Sequence, residues 1–362
     1  MPGHAELTEL AAQLVAIDSV NPALVPGGNG ERDLALAVAA WCKRQGLAVE
    51  MVGDERPSVI ATRHGSGGGR SLLLNAHLDT VGVAGMEAPH EPRVEDGRLY
   101  GRGAYDMKGA LAAILLAAAE APELRGDVIV TAVSDEELAS VGTESVLERV
   151  HADAAIVVEP TELRLAVAHR GFVGFELETT GVAAHGSRPE LGVDAIVKMG
   201  PVLVALGQLD EQLQAGPRHP LVGPASLHAS LVEGGQELSS YPARCLVTGE
   251  RRTIPGETVA QVERELRAIA GEAAVRVGVS REPFEASRDH PFVELVGGVA
   301  DAGEHVGVPF WTDAALIAAA GIPTVLFGPA GDGAHAVVEW VDLASLERVR
   351  DVVVRTAVEW CG

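Results

Sequence analysis

The stretch SLLLNAHLDTV, residues 71–81, decides how the rest of the chain is read. A short apolar run, Ser71-Leu72-Leu73-Leu74, lies downstream of the glycine-rich turn SGGG (66–69) and ends in a histidine and an aspartate two positions apart. Its brevity and apolar character predict a buried strand. Residues i and i+2 of a strand point to the same face, so His77 and Asp79 project together from its C-terminal end. In open α/β sheets that end is where ligands bind.

Outward from this strand, helical and strand patterns alternate. GluLeuThrGluLeu (6–10) opens an amphipathic helix, and 31–46 forms a second. Strand-like runs follow at 57–62 and 71–76, then an Ala/Leu helix at 108–120, the strand DVIVTAVS (127–134), a helix near 142–150 and the strand AAIVVE (154–159). This alternation predicts an α/β sheet covered by helices. The pattern changes near Gly171. GFVGFELETTG (171–181) alternates like a half-exposed strand; a helix near 192–213, strands near 225–233 and 243–252, a helix at 257–270 and a strand at 274–281 follow. That β-α-β-β-α-β order is the ferredoxin-like split βαβ unit. After the polar EASRDH (285–290), helices and the strand PTVLF (323–327) return. The expectation is a discontinuous catalytic domain, 1–170 plus 285–362, with a lid inserted at 171–284.

Composition narrows the function classes. The chain of 362 residues carries a net charge of −23 and no basic run, which disfavours nucleic acid and anionic membranes as partners. Three scattered cysteines, Cys42, Cys245 and Cys361, form neither a disulfide framework nor a thiolate zinc site. The N-terminal MPGHAELTELAAQLVAID lacks the basic start of a signal peptide, and the longest uncharged stretch, 314–331, is broken by Gly and Pro. A soluble, cytoplasmic protein is expected.

Four further stretches place acids or histidine at strand exits: GRGAYDMKG (101–109) with Asp106, SDEE (134–137), Glu159 closing its strand before Pro160, and GPAGDGAHAVVEW (328–340) with His335. Singly, each has a plain structural explanation: a helix cap, a solvated turn, a strand terminus, a surface loop. Together they collect two imidazoles and several carboxylates at one kind of place. Such a set, without thiolates, suits two divalent ions, zinc foremost, with cobalt or manganese as substitutes.

HLDTV, GRGAYDMKG, SDEE, VVEP and the late GP…H, in this order, resemble the dinuclear zinc aminoacylase and carboxypeptidase family, which includes acetylornithine deacetylase, succinyl-diaminopimelate desuccinylase and glutamate-releasing carboxypeptidases. The resemblance covers essentially the whole chain, inserted lid included. It implies a zinc-peptidase-like mixed sheet with helices on both faces and a ferredoxin-like dimerisation lid. It implies that His77 and Glu159 hold one ion, Glu137 and His335 the other, and that Asp106 bridges them, with a cis Asp106–Met107 peptide. Asp79 is then the carboxylate that orients the His77 ring, and Glu136 the general base that takes a proton from the attacking water.

In AAHGSRP (183–189) the resemblance assigns His185 to oxyanion stabilisation across a dimer interface, and in ERRTIPG (250–256) it assigns an arginine to a substrate carboxylate. Strand alternation lets only one of Arg251 and Arg252 face the cleft; Arg252 is preferred. The sequence departs from the family where Ser239 and Ser240 stand in place of a usual asparagine, and where Ala330 replaces a frequent glycine. His64, His90, His219 and His290 are read as loop residues, Asp313 as a helix start, and Glu339, one helical turn beyond His335 if that segment is helical, as a brace of the loop. The implied activity is release of an amino acid from an N-acyl amino acid. Cleavage of a dipeptide or acyl-glutamate amide is the alternative. A non-catalytic binding protein on the same fold is more remote, because it would have lost ligands or base.

Overall fold

A computed structural model describes residues 2–362, with side chains from residue 5 onward. The chain divides into two compact units, one running up to Val167 and continuing through Ala286–Val306 and Thr312–Gly362, the other made of Ala168–Glu285 and Gly307–Trp311. Residues 307–311, which the sequence pattern leaves with the first unit, group with the second. They do so because Trp311 is packed there: its indole donates to the Glu282 carbonyl (3.1 Å) and meets Phe172 edge-on.

The first unit is built on a mixed sheet. Its strands are β1 (Ala48–Val52), β2 (Ser58–Arg63), β3 (Leu72–His77), β4 (Arg93–Glu95), β5 (Arg98–Tyr100), β6 (Val128–Val133), β7 (Ala154–Val157), β8 (Ala166–His169), β9 (Thr324–Leu326), β10 (Gly331–Asp332) and β11 (Trp340–Asp342). The main sheet runs β1-β2-β6-β3-β7-β9-β8. The four central strands β6, β3, β7 and β9 are mutually parallel, and their C-terminal ends therefore open on one edge. β3 is buried along its whole length, as expected of a central parallel strand covered on both faces.

The helices are α1 (Pro2–Val15), α2 (Arg32–Arg44), α3 (Gly109–Glu120), α4 (Val141–Leu147), α5 (Pro291–Ala300), α6 (Ala314–Ala319) and α7 (Leu343–Cys361). α3 and α7 pack on β3 and on each other, and α1 packs on α3; α2 and α4 lie against β2. Every residue of α3 from Gly109 to Ala118 is buried. The Ala-rich sequence suits this placement, because small side chains let helices approach closely on all sides. At the entrance to α3 the chain makes one wide turn, Ala104–Lys108, with a cis Asp106–Met107 peptide. Asp106 is thus held before the helix and not inside it.

A second small sheet, β10-β11-β5-β4, follows a hairpin order that the sequence pattern does not reveal. The strands are only two or three residues long, too short for a period-two signal. β10 and β11 form a hairpin whose loop, 333–339, presents His335. At the turn, Gly333 has φ +84°, and a Cβ there would lie 1.8 Å from the Val338 carbonyl oxygen, so only glycine fits.

In the second unit, four antiparallel strands stand in the order 226–234, 244–253, 171–180, 274–281. Helices Ala195–Ala215 and Val259–Ile269 complete the β-α-β-β-α-β unit. Strand Gly171–Thr180 alternates buried and half-exposed positions. Its buried Val173, Phe175 and Leu177 join Met199, Val202, Leu206, Val262 and Leu266 of the helices in one core. The first helix starts at Ala195 and not near 192, because the Asp194 carboxylate caps it by accepting from Val197 N–H (3.0 Å).

Candidate metal centre

Each parallel strand end of the first unit delivers one part of a cluster. His77 is the last residue of β3, 134–137 leave β6, Glu159 follows β7, and His335 comes from the hairpin after β9. Asp106 enters from the turn before α3. The Asp106 carboxylate stands between two imidazoles: its Oδ1 lies 3.0 Å from His77 Nε2 and its Oδ2 lies 3.3 Å from His335 Nε2. His335 Nε2 also lies 3.1 Å from Glu137 Oε2, and His77 Nε2 lies 4.0 Å from Glu159 Oε1. The carboxylates of Asp106, Glu137 and Glu159 therefore surround two rings, and that of Glu136 stands with them beside His77.

This arrangement fits divalent cations. Metal–ligand bonds of about 2.0–2.1 Å in a tetrahedron separate ligand atoms by about 3.3 Å, close to the spacings found here. Ligand atoms of His77, Asp106 and Glu137 lie within 4.8 Å of one another, as do those of His77, Glu136 and Glu159. Glu137 Oε1 is buried with no hydrogen-bond partner among the described residues. A buried carboxylate oxygen without a donor is costly unless a cation meets it.

The protonation equilibria point the same way. Burial alone would lower the His77 pKa, yet its contact with Asp106 and the charges of Glu159 and Glu136 hold it well above the ordinary imidazole range. His335, hydrogen-bonded to Asp106 and Glu137, rises to about 10. Desolvation drives Glu136 and Glu159 well above the carboxylate range, and neighbouring carboxylates add to it. Asp106 goes the other way: burial would raise it, but His335 and His77 hold it well below the usual range. These shifts share one physical origin: buried carboxylates and imidazoles crowded at a place where a cation would neutralise the excess negative charge.

Asp79 meets the His77 ring through two groups. The ring of His77 is oriented by the main-chain carbonyl of Asp79, 2.9 Å from Nδ1, while the nearer Asp79 carboxylate oxygen lies 3.7 Å away. That carboxylate also accepts from the backbone N–H groups of Glu136 (3.0 Å) and Glu137 (3.1 Å), and from Asn21 Nδ2 (2.8 Å). It fixes the turn that carries the expected base and one ligand.

Sequence reasoning missed the rest of this support. Asp135, at φ +67°, receives Asn21 Nδ2 (3.0 Å) and Arg56 Nη1 (2.5 Å), and its own N–H donates to Glu31 (3.1 Å). Asp313 precedes α6, but its side chain makes no capping hydrogen bond. It is buried, accepts from Thr143 Oγ1 (2.6 Å), and its charge raises both Glu136 and Glu159. The segment of Glu339 is a hairpin loop and not a helix, and Glu339 braces the site from there by accepting from the backbone around Asp106. No local motif marks Asn21, Glu31, Arg56 or the buried role of Asp313, since their partners lie far away in sequence.

Within the second unit, His185 is exposed and its Nδ1 receives the Ser187 N–H (3.2 Å). Ser239 and Ser240 line the same turn: Gly186 N–H donates to the Ser239 carbonyl (2.6 Å), and the main chains of His185 and Ser240 pair in antiparallel fashion. Arg251 is fully buried and doubly bonded to Glu257 (2.7 and 3.0 Å). Arg252 is partly exposed, with its Nε donating to Glu250 (2.5 Å). Of the histidines read as loop residues, His290 caps α5 by accepting from Phe292 N–H (3.2 Å), and His64 and His219 pair with Asp127 and Glu285. His90 stands 3.5 Å from Asp18.

Residues 73–359 match the family model described as Peptidase family M20/M25/M40. This chain belongs to that family. An acetylornithine deacetylase of Myxococcus xanthus is 31% identical, over 99% of this chain and 97% of the relative. Among solved structures, a tripeptidase of Staphylococcus aureus superposes with a TM-score of 0.80 at 20% identity, covering 99% of this chain and 98% of the other. A dinuclear metal-binding peptidase of the M20 family from Bacillus subtilis does so at 0.72 and 18% identity, covering 99% and 98%. As a member of the M20/M25/M40 family, the chain is a metal-dependent hydrolase of amide bonds. Among the described residues, no helix is long and apolar enough to cross a membrane.

Proposed function

We propose that this hydrolase releases an amino acid from its N-acyl derivative, with two divalent ions, zinc foremost, held by His77 and Glu159 on one side, by Glu137 and His335 on the other, and by Asp106 between them. The observation that carries this reading is the division of the Asp106 carboxylate: one oxygen faces each imidazole. The full-length relation to an acetylornithine deacetylase supports the substrate class.

When bound, the ions would polarise the amide carbonyl and bring the attacking water's pKa toward neutrality. Glu136 supplies the base. Proximity alone would also let it serve as a ligand beside His77 and Glu159. It is assigned the proton instead because no hydrogen bond among the described residues ties its carboxylate, and because desolvation and Glu159 raise its affinity for a proton. Glu136 takes a proton from the water as the new C–O bond forms, and returns it to the amine nitrogen as the C–N bond breaks.

Two residues of the second unit complete the proposal. Arg252 offers its guanidinium to the substrate carboxylate. In His185, Nδ1 is held by Ser187 (Oγ at 2.8 Å, N–H at 3.2 Å), so Nε2 is the ring nitrogen to donate to an oxyanion in a partner copy's site. A homodimer formed through the second unit is supported by the edge strand 226–234, which exposes Leu231 (61%) and Val232 (64%). Three free, buried cysteines suit a reducing, cytoplasmic compartment.

The test is amine release by zinc-reconstituted protein across N-acetyl and N-succinyl amino acids and dipeptides, with Glu136→Gln alongside. Hydrolysis of one acyl class, reduced about 10²–10⁴-fold in the variant with both ions retained, is expected. Preference for dipeptides would move the assignment to a peptidase. An active Glu136→Gln would remove Glu136 as the base.

A further inference from the structure

The two candidate ion positions are not built alike. His77 closes a central, fully buried strand, with its Nδ1 held by the Asp79 carbonyl, and Glu159 follows the neighbouring strand β7. The sheet itself fixes those two ligands. His335 instead sits at φ +63° on a hairpin loop, with its side chain 54% exposed. Nothing in regular secondary structure holds it, and Asp106 is likewise in an irregular turn.

What joins these two irregular segments is an ion pair. Glu339 and Arg102 have side chains 0% and 3% exposed and meet at 2.6 Å. One Glu339 oxygen, Oε1, accepts from the backbone N–H groups of Tyr105 and Asp106, both at 3.0 Å. The other, Oε2, accepts from Gly103 N–H (3.1 Å) and Arg102 Nη1. Both oxygens are therefore committed, which leaves Glu339 no capacity to bind an ion or a substrate. Arg102 Nη2 in turn donates to the carbonyls of Gly82 and of Ala336, both at 3.0 Å, and Ala336 is the residue after His335. An unbroken chain of charge-assisted hydrogen bonds thus runs from the Asp106 N–H through Glu339 and Arg102 to the carbonyl beside His335.

We propose that the buried Arg102–Glu339 pair is a positioning clamp that locks the Asp106 turn to the His335 hairpin, and so sets the affinity of the ion position formed by Asp106 Oδ2, Glu137 and His335 more than that of the other position. The inference rests on the reading of these residues as ligands. Supports of this kind change metal affinity by about 10–100-fold when removed. Here the loss is unequal, because only one position depends on two loops whose mutual placement the clamp decides.

The experiment uses the full chain, stripped of metal and titrated with zinc against a competing chelator, to obtain a dissociation constant for each of two ions. The variants are Glu339→Gln, which places an amide NH2 against Arg102 and the Gly103 N–H, and Arg102→Met, which keeps the Glu339 bonds to the backbone but cuts the link to Ala336. The weaker-held ion of each variant is expected to lose about 10–100-fold in affinity while the other changes far less. Replacing zinc by cobalt gives absorption bands that report which position has emptied. Two ions bound with wild-type affinities, or two affinities that fall together, would overturn the clamp. Should Glu339→Gln not fold, Arg102→Met decides alone. A wild-type chain that takes up no second ion removes the ligand reading itself, an outcome distinct from failure of the clamp.

Discussion

The neighbouring arginines show how much one position can change a role. Arg251 and Arg252 are adjacent, chemically identical and both legible as carboxylate binders. Strand alternation turns Arg251 inward, where Glu257 receives it through two hydrogen bonds and Glu265 lies 3.4 Å away. Removing one partner of such a buried pair costs about 3–5 kcal/mol, so Arg251→Met should lower unfolding free energy by that order, with little effect on KM. Arg252→Met should leave stability within about 0.5 kcal/mol. Loss of a charged hydrogen bond to substrate, worth about 1.5–3 kcal/mol, should raise KM about 10–100-fold. Denaturant unfolding and steady-state kinetics on the two variants read both effects; the reverse pattern would exchange their roles. The proposed ligand residues were legible because each sits beside glycine, proline or a strand end. Asp313, Arg102 and the Asn21–Asp135 link were not, since their character comes from burial against residues 100 or more positions away.

Elements divide into those read correctly from periodicity and those too short for it. The Ala/Leu helix α3, the core strands and the β-α-β-β-α-β run all carry a period that folding preserves. The hairpin strands β4, β5, β10 and β11 carry none, yet they place His335 and Glu339. One element also exposes what it should bury. The strand 226–234 is half-buried or buried only at its first two positions and exposed at the other seven, and a bare edge with Leu231 and Val232 invites pairing with another chain. Light scattering should report a dimer for the wild-type chain and a monomer for the double variant Leu231→Lys/Val232→Lys, with the zinc content of the first unit unchanged. A wild-type monomer would remove this edge as an interface.

For the molecule as a whole, the carboxylate cluster couples stability to metal and to pH. Ions that bind only the native cluster add RT ln(1 + [M]/Kd), about 2.7 kcal/mol at one hundred times Kd, so a chelator should lower Tm by several degrees. The sign of the pH effect follows from the shifts. His77, His335, Glu136 and Glu159 all hold protons more tightly in the native, metal-free state than in the unfolded chain. Their contribution is complete at low pH and is lost as pH rises, for Glu136 and Glu159 from the ordinary carboxylate range upward, and for His335 from the ordinary imidazole range toward about 10. Asp106 has the opposite sign, but its window lies below the ordinary carboxylate range. Metal binding must expel the same protons. The Tm gain from zinc should therefore grow between about pH 6 and about pH 8, and a gain independent of pH would contradict the proton inventory. By itself the sequence determined the α/β class, the β-α-β-β-α-β insertion and the residues with the chemistry of a metal site, because periodicity and strand-end placement are local properties. Tertiary structure alone decided that the Asp79 carboxylate, 3.7 Å from the His77 ring, also holds the Glu136–Glu137 turn, that Arg251 is buried and Arg252 is not, and that Glu339 is tied to Asp106. Each of these depends on which distant group fills a buried hydrogen-bonding position, and no local pattern encodes that.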